Sequence, residues 1–202
     1  GFEVKPIPFL IVIDCDGRFV NLEDTREGKK MVPKTFLVPR SVSREGRHSY
    51  KKTFLLWDHV GYVLQHPEDE KAKNQHATWL QSLKELPSEL KRNEGISAIL
   101  KFYESGGSDD VKSHPSWIVC TKISSCNMTF KMVGETLPIP CCEEVEEYIN
   151  KLTGSFNDIN KNSVKNKVIG RCLVTGDVDE IVRVHSNTYI NKDAKKLVGF
   201  QK

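Results

Sequence analysis

The order of hydrophobic patterns along the chain most constrains its fold. Strand-like segments come first, helical ones follow, and strand-like ones return near the end. That order argues for an α+β fold rather than a doubly wound parallel sheet. Ile7–Asp14 is apolar and β-branched, and it leads into the turn Asp14-Cys15-Asp16-Gly17. Gly supplies positive φ and Asp bonds its neighbouring backbone, so Arg18–Leu22 reads as the returning strand of a hairpin. The two aspartates are therefore turn chemistry, since no third carboxylate is spaced for a divalent cation. Lys34–Val38 is a third strand, stopped by Pro39.

Three helices are expected next. Phe54, Trp57, Val60 and Leu64 recur at helical spacing over 54–64. Glu68–Leu86 is amphipathic, with Ala72, His76, Trp79, Leu83 and Leu86 on one stripe, His76 being a core-edge residue. Pro87 breaks the chain, and Asn93 caps a third helix that buries Ile96, Ile99, Leu100 and Tyr103 and ends at Gly106-Gly107. After a loop holding His114-Pro115, Met128–Val133 alternates as a half-buried strand. Glu143–Leu152 reads as a short helix closed by Gly154, with acidic residues suited to its positive N-terminus. Val168–Val174 and Ile181–Val184 flank a Thr175-Gly176-Asp177 turn as a last hairpin. The expected organisation is a mixed, largely antiparallel sheet with a central group of three helices. It comprises an α+β domain over 1–154, a loop or linker over 155–167, and a hairpin segment over 168–202 packed on the same domain.

Composition narrows the class. A chain of 202 residues can bury well over half of its unfolded surface, so its fold needs neither disulfides nor a metal. The longest apolar run, Pro8–Ile13, is far short of the roughly 20 residues of a membrane span. There is no signal-peptide pattern in the first 30 residues, and six Cys are too sparse for a disulfide scaffold. A soluble, cytoplasmic protein with reduced thiols is expected, read as a piece of a longer one because it opens without Met.

The charge is unevenly placed. Residues 26–52 hold nine basic side chains against two acidic ones, a net +7, which leaves the rest of a +3 chain at −4. A basic window in a slightly acidic chain is the footprint of a polyanion binder. Lys161, Lys165, Lys167 and Arg171 form a second, smaller basic stretch. Within the first window, Arg40–Lys52 is a polar loop of 13 residues, long for a structureless connection. The candidate nucleic-acid contacts are Lys29, Lys30, Lys34, Arg40, Arg44, Arg47, His48, Ser49, Tyr50, Lys51 and Lys52. Arg40, Arg44 and Lys52 are placed to track phosphates, while Ser49, Tyr50 and Lys51 sit where a following rigid element could hold them at a groove edge.

Catalysis has little support. The chain has no nucleophile elbow, P-loop or dinucleotide glycine fingerprint, and no Cys lies in a catalytic context. Cys120, Cys126, Cys141 and Cys142 lack a CxxC knuckle and are read as free thiols, so neither a metal nor a cofactor is expected. His48 beside Tyr50 and Lys51 could form the acid–base set of a metal-independent endoribonuclease, an alternative from another class. A pure scaffold that docks on a neighbouring subunit is a third reading.

Several phrases carry a resemblance. They are Ile7-Pro8-Phe9-Leu10-Ile11-Val12-Ile13-Asp14 with Asp16-Gly17, then Glu23-Asp24-Thr25-Arg26-Glu27-Gly28-Lys29-Lys30. Phe54-Leu55-Leu56-Trp57-Asp58-His59 with Tyr62-Val63-Leu64 follows, and Arg171–Gly176 with Ile181–His185 completes the set. In this order and at these separations they resemble the N-terminal part of the large subunit of the type I-C CRISPR Cascade complex, the Cas-eight-c family, without its opening helix or its helical C-terminal region. The resemblance implies a non-catalytic DNA-binding subunit of an RNA-guided antiviral defence effector. Such a subunit recognises the protospacer-adjacent motif on double-stranded target DNA and starts unwinding. It also implies partners: the crRNA 5′ handle, other Cascade subunits and a recruited helicase-nuclease.

Overall fold

Strand β2 (Phe9–Ile13) is buried at all five positions, and the fold is built around it. A strand that is apolar throughout must be covered on both faces. Phe9, Ile11 and Ile13 enter the main core, and Leu10 enters a smaller second core with Ile7, Val38 and Trp57. In the computed structural model, which describes residues 1–162, with side chains to 153, and four short strands between 169 and 195, β2 is central in a four-stranded sheet. It pairs antiparallel with β3 (Phe19–Asp24) and parallel with β6 (Asn127–Met132), and β6 pairs antiparallel with β5 (Trp57–His59).

A separate ribbon pairs β1 (Phe2–Pro6) with β4 (Thr35–Pro39), antiparallel, from Phe2↔Pro39 to Pro6↔Thr35. The second core lies against it, with Phe36, Phe54 and Cys141 packed at the edge. The hairpin between β2 and β3 closes as expected: Asp14 Oδ1 accepts from the backbone N–H of Asp16 and of Arg18, both at 2.9 Å. Gly17 sits in that turn at φ +77°, and a Cβ there would lie 2.6 Å from the carbonyl oxygen of Ala98. The turn therefore seats directly on a helix backbone.

The helices fill the crossover from β2 to β6. They are α1 (Val60–Leu64), α2 (Glu70–Lys84), α3 (Ser88–Lys91), α4 (Glu94–Glu104), α5 (Gly107–Ser113) and α6 (Trp117–Thr121). Asp69 caps α2 and Asn93 caps α4 through their side-chain oxygens. Trp79 Nε1 donates to Tyr103 Oη at 2.8 Å, and that hydroxyl donates to the Val63 carbonyl at 2.9 Å. One buried chain of hydrogen bonds thus joins α2, α4 and α1. Phe102 meets Phe130 edge-on at 5.1 Å, locking α4 to β6.

Three sequence expectations change. The segment 54–64 is not one helix: Phe54 is irregular, Leu55–Leu56 is a bend, Trp57–His59 is strand β5, and only Val60–Leu64 is helical. The segment is buried along most of its length, so its apolar spacing does not distinguish a helix from a strand followed by a helix. The loop expected after Gly107 contains α5 and α6, because Gly106 turns left-handed at φ 78° and starts α5 as it ends α4. Helix α7 (Glu143–Asn162) runs through Gly154 and takes in the first part of the stretch read as a linker. Glycine costs a helix only about 1 kcal/mol, and the apolar spacing continues through Phe156 and Ile159.

The chain divides into two compact units, Gly1–Gly154 and Ser155–Lys202. In the second, β7 (Ile169–Arg171) pairs antiparallel with β8 (Val178–Glu180), and β9 (Thr188–Ile190) pairs with β10 (Asp193–Lys195). The expected return strand Ile181–Val184 lies outside the described residues. No helix among the described residues is long and apolar enough to cross a membrane.

Candidate nucleic-acid interface

The basic loop begins where β4 ends. Trp57 Nε1 donates to the Pro39 carbonyl at 2.8 Å, and the Arg40 N–H donates to the Gly1 carbonyl at 3.0 Å. Ser41 N–H then donates to a Glu3 carboxylate oxygen. The first residues of the loop are therefore fixed by backbone contacts before any cation is placed.

Arg44 turns inward. Its guanidinium makes two hydrogen bonds to the carboxylate of Asp58, one at 2.8 Å, and Asp58 is fully buried. The guanidinium lies 3.7 Å from the Phe54 ring centre and 4.1 Å from that of Tyr62, so it is stacked on aromatic faces as well as paired. Its Nε donates to the Lys52 carbonyl at 2.7 Å, and Lys52 Nζ donates back to the Ser43 carbonyl at 2.7 Å. Asp58 also accepts from the backbone N–H of Phe54 at 3.1 Å and of His59 at 2.9 Å. Burial pushes the Asp58 carboxyl up, and Arg44 together with the two N–H donors acts against that push. The sequence places Arg44 among the exposed phosphate cations. The structure instead makes it the internal anchor of the loop.

With both ends held, the outer part of the loop is displayed. Ser49–Lys51 forms one 3₁₀ turn, and Tyr62 Oη donates to the Ser49 carbonyl at 3.4 Å. Arg40, Arg47, His48, Lys51 and Lys52 are exposed, while Ser49 and Tyr50 are half-buried. His48 and Tyr50 meet edge-on with ring centres 6.2 Å apart. Lys29 and Lys30 occupy the tight turn closed by the Glu27–Val32 bridge, and Lys34 Nζ pairs with Glu27 at 2.8 Å. That pair raises the Lys34 ammonium's pKa, through the hydrogen bond to Glu27. The two groups of cations flank β4, whose five residues span about 17 Å.

Behind the loop, His59 caps α1: its Nδ1 accepts from the Gly61 N–H at 3.1 Å. Burial, with Arg44 nearby, lowers its pKa to about 4, so the ring is neutral near pH 7 and its proton sits on Nε2. Sequence reasoning missed Asp58, Phe54 and Tyr62 as parts of this site. The available signal was Asp58 itself, a lone carboxylate inside the apolar run Leu55–Val60 next to a strongly basic loop. A buried acid in that setting calls for a basic partner.

Cys120 and Cys126 are buried with sulfurs 3.7 Å apart, and the neighbouring thiol together with burial pushes Cys126 up. Among the described residues, no group of three His, Cys, Asp or Glu lies close enough to hold a metal ion.

A cationic loop pinned to an α+β core belongs here to a CRISPR-associated protein. The chain is a member of the family described as CRISPR-associated protein (Cas_Csd1), the large subunit of type I-C Cascade, whose model matches residues 1–202. No curated protein matches it. The protein is thus a subunit of a CRISPR defence effector that assembles with other Cascade subunits.

Proposed function

We propose that this chain is a non-catalytic DNA-reading part of the effector, which recognises the protospacer-adjacent motif on duplex DNA and starts its unwinding. The observation that carries the reading is the loop itself: Arg40, Arg47 and Lys51 project from a backbone fixed by the buried Arg44–Asp58 pair, while the Lys52 ammonium is turned back onto the Ser43 carbonyl. Phosphate contacts need exposed cations, and motif reading needs side chains held in register. Arg40 and Arg47 hold phosphates. Ser49, Tyr50 and Lys51 form the reading edge, on a turn tied to Tyr62. The crRNA 5′ handle and a recruited helicase-nuclease complete the partners, and strand cleavage falls to the latter.

The test uses the assembled complex and two duplexes, with correct and with scrambled adjacent motifs. Tyr50→Ala or Lys51→Ala should cost about 1–3 kcal/mol on the correct duplex and little on the scrambled one. Arg40→Ala and Arg47→Ala should weaken both alike, and each should flatten the log–log salt slope by about 0.9. Equal losses on both duplexes for every variant would reduce the loop to holding DNA. Cleavage of guide precursor RNA without metal would move the assignment to the endoribonuclease alternative.

A further inference from the structure

On the first unit, the surface beside the β1–β4 ribbon opens into an apolar groove of two lobes, about 270 and 310 Å³. Leu137, Cys141 and Cys142 line both lobes, so the two are adjacent and share a wall. One lobe runs along Phe2 and Leu37, the other along Met132 and Gly95. Leu137 stands between them with 59% of its surface exposed, Leu37 with 56%, and Val4, the cross-strand partner of Leu37, with 64%. Large aliphatic side chains exposed in a continuous patch mark an interaction surface.

The rim decides what can enter. Glu94 and Glu135 edge one lobe and Glu146 edges the other, all exposed. Among the described residues none of the three forms an ion pair. Helix N-termini account for Glu94 and Glu146, but Glu135 lies in a turn, and no helix dipole explains an exposed Leu137 beside it. An acidic rim repels nucleic acid and anionic lipid, and it repels the same rim on a second copy.

We propose that this groove receives a basic segment of a neighbouring protein subunit, with an apolar side chain on either side of Leu137 and Lys or Arg side chains over the rim. The inference is independent of DNA reading and would stand if the basic loop bound nothing.

The test is assembly without target DNA. A photo-crosslinking residue at position 137 of the assembled complex should capture a segment of another subunit that carries both Lys or Arg and an aliphatic or aromatic residue. Capture of nucleic acid, of a second copy or of this chain's own residues beyond 154 would overturn the proposal, as would no capture. Leu137→Glu, and separately Glu94→Lys with Glu146→Lys, should weaken association with the remaining subunits about tenfold or more, while Leu137→Met should not. The wild-type association should also weaken as salt rises. Leu137 is exposed, so an unchanged melting temperature of its variants separates lost docking from lost folding, and Glu135→Lys, which lies off any helix, repeats the charge reversal without the helix-terminus cost carried by Glu94 and Glu146. Wild-type assembly by both disruptive variants would refute the docking site.

Discussion

Asp58→Ala should destabilise the first unit severely, although position 58 carries a charged residue. The wild-type carboxylate receives four hydrogen bonds: two from Arg44, one from the Phe54 N–H and one from the His59 N–H. Removing it orphans two backbone donors and leaves a guanidinium with only 17% of its side chain exposed and no counter-charge. Breaking a buried pair from one side costs about 3–5 kcal/mol. For a domain of this size that corresponds to a fall in melting temperature of about 6–20 °C. Urea unfolding should show a lower midpoint at unchanged slope. The double variant Asp58→Ala with Arg44→Met should be less destabilised than Asp58→Ala alone, by about 1–2 kcal/mol. Both charges are then gone, and the Met side chain can still cover the Phe54 and Tyr62 rings. A loss below about 1 kcal/mol for Asp58→Ala, or an additive double variant, would refute the claim that this pair anchors the basic loop.

Three further outcomes follow from other features. His59 is held neutral with its pKa near 4, so stability is complete above the unfolded value near 6.5 and falls as pH drops from there toward 4. The full shift corresponds to about 3 kcal/mol, and solvent screening of a half-buried ring reduces this to about 1–2; His59→Asn, which keeps the cap, should remove that part of the pH profile in thermal melts. Gly17→Ala forces a Cβ against the backbone of α4 at positive φ and should cost about 2–4 kcal/mol by chemical denaturation; a loss under about 0.5 would show that the turn does not seat on the helix. Chelator should leave the melting temperature unchanged, and stoichiometric zinc whose removal unfolds the protein would overturn the reading of its cysteines as free thiols.

The fold was legible where local chemistry and tertiary context agree. Asp14 and Gly17 announce the β2–β3 hairpin, and Asn93 announces the start of α4, whose apolar stripe faces the core. It was illegible where long-range pairing overrides local period. Trp57–His59 is a strand only because β6 offers an edge to it, and nothing within residues 54–64 encodes β6. The parallel pairing of β2 with β6 was hidden for the same reason. At the site, the excess of cations and their loop were readable from composition. Which cation turns inward was not, because that depends on a carboxylate brought in from the edge strand.

That edge strand has a consequence for the order in which the molecule is made. Phe9 pairs with Met128, so β2 waits for more than half of the chain before its parallel partner leaves the ribosome. At 5–20 residues per second the wait is about ten seconds. Meanwhile one edge of a wholly apolar strand is covered only by β3, whose polar outer residues discourage further pairing on that side. The arrival of β6 closes the other edge and recruits β5, since Asp58 sits opposite Met128 and Thr129 Oγ1 donates to the Leu56 carbonyl at 2.6 Å. The carboxylate that anchors Arg44 therefore rides on a strand that has no sheet partner until β6 is made.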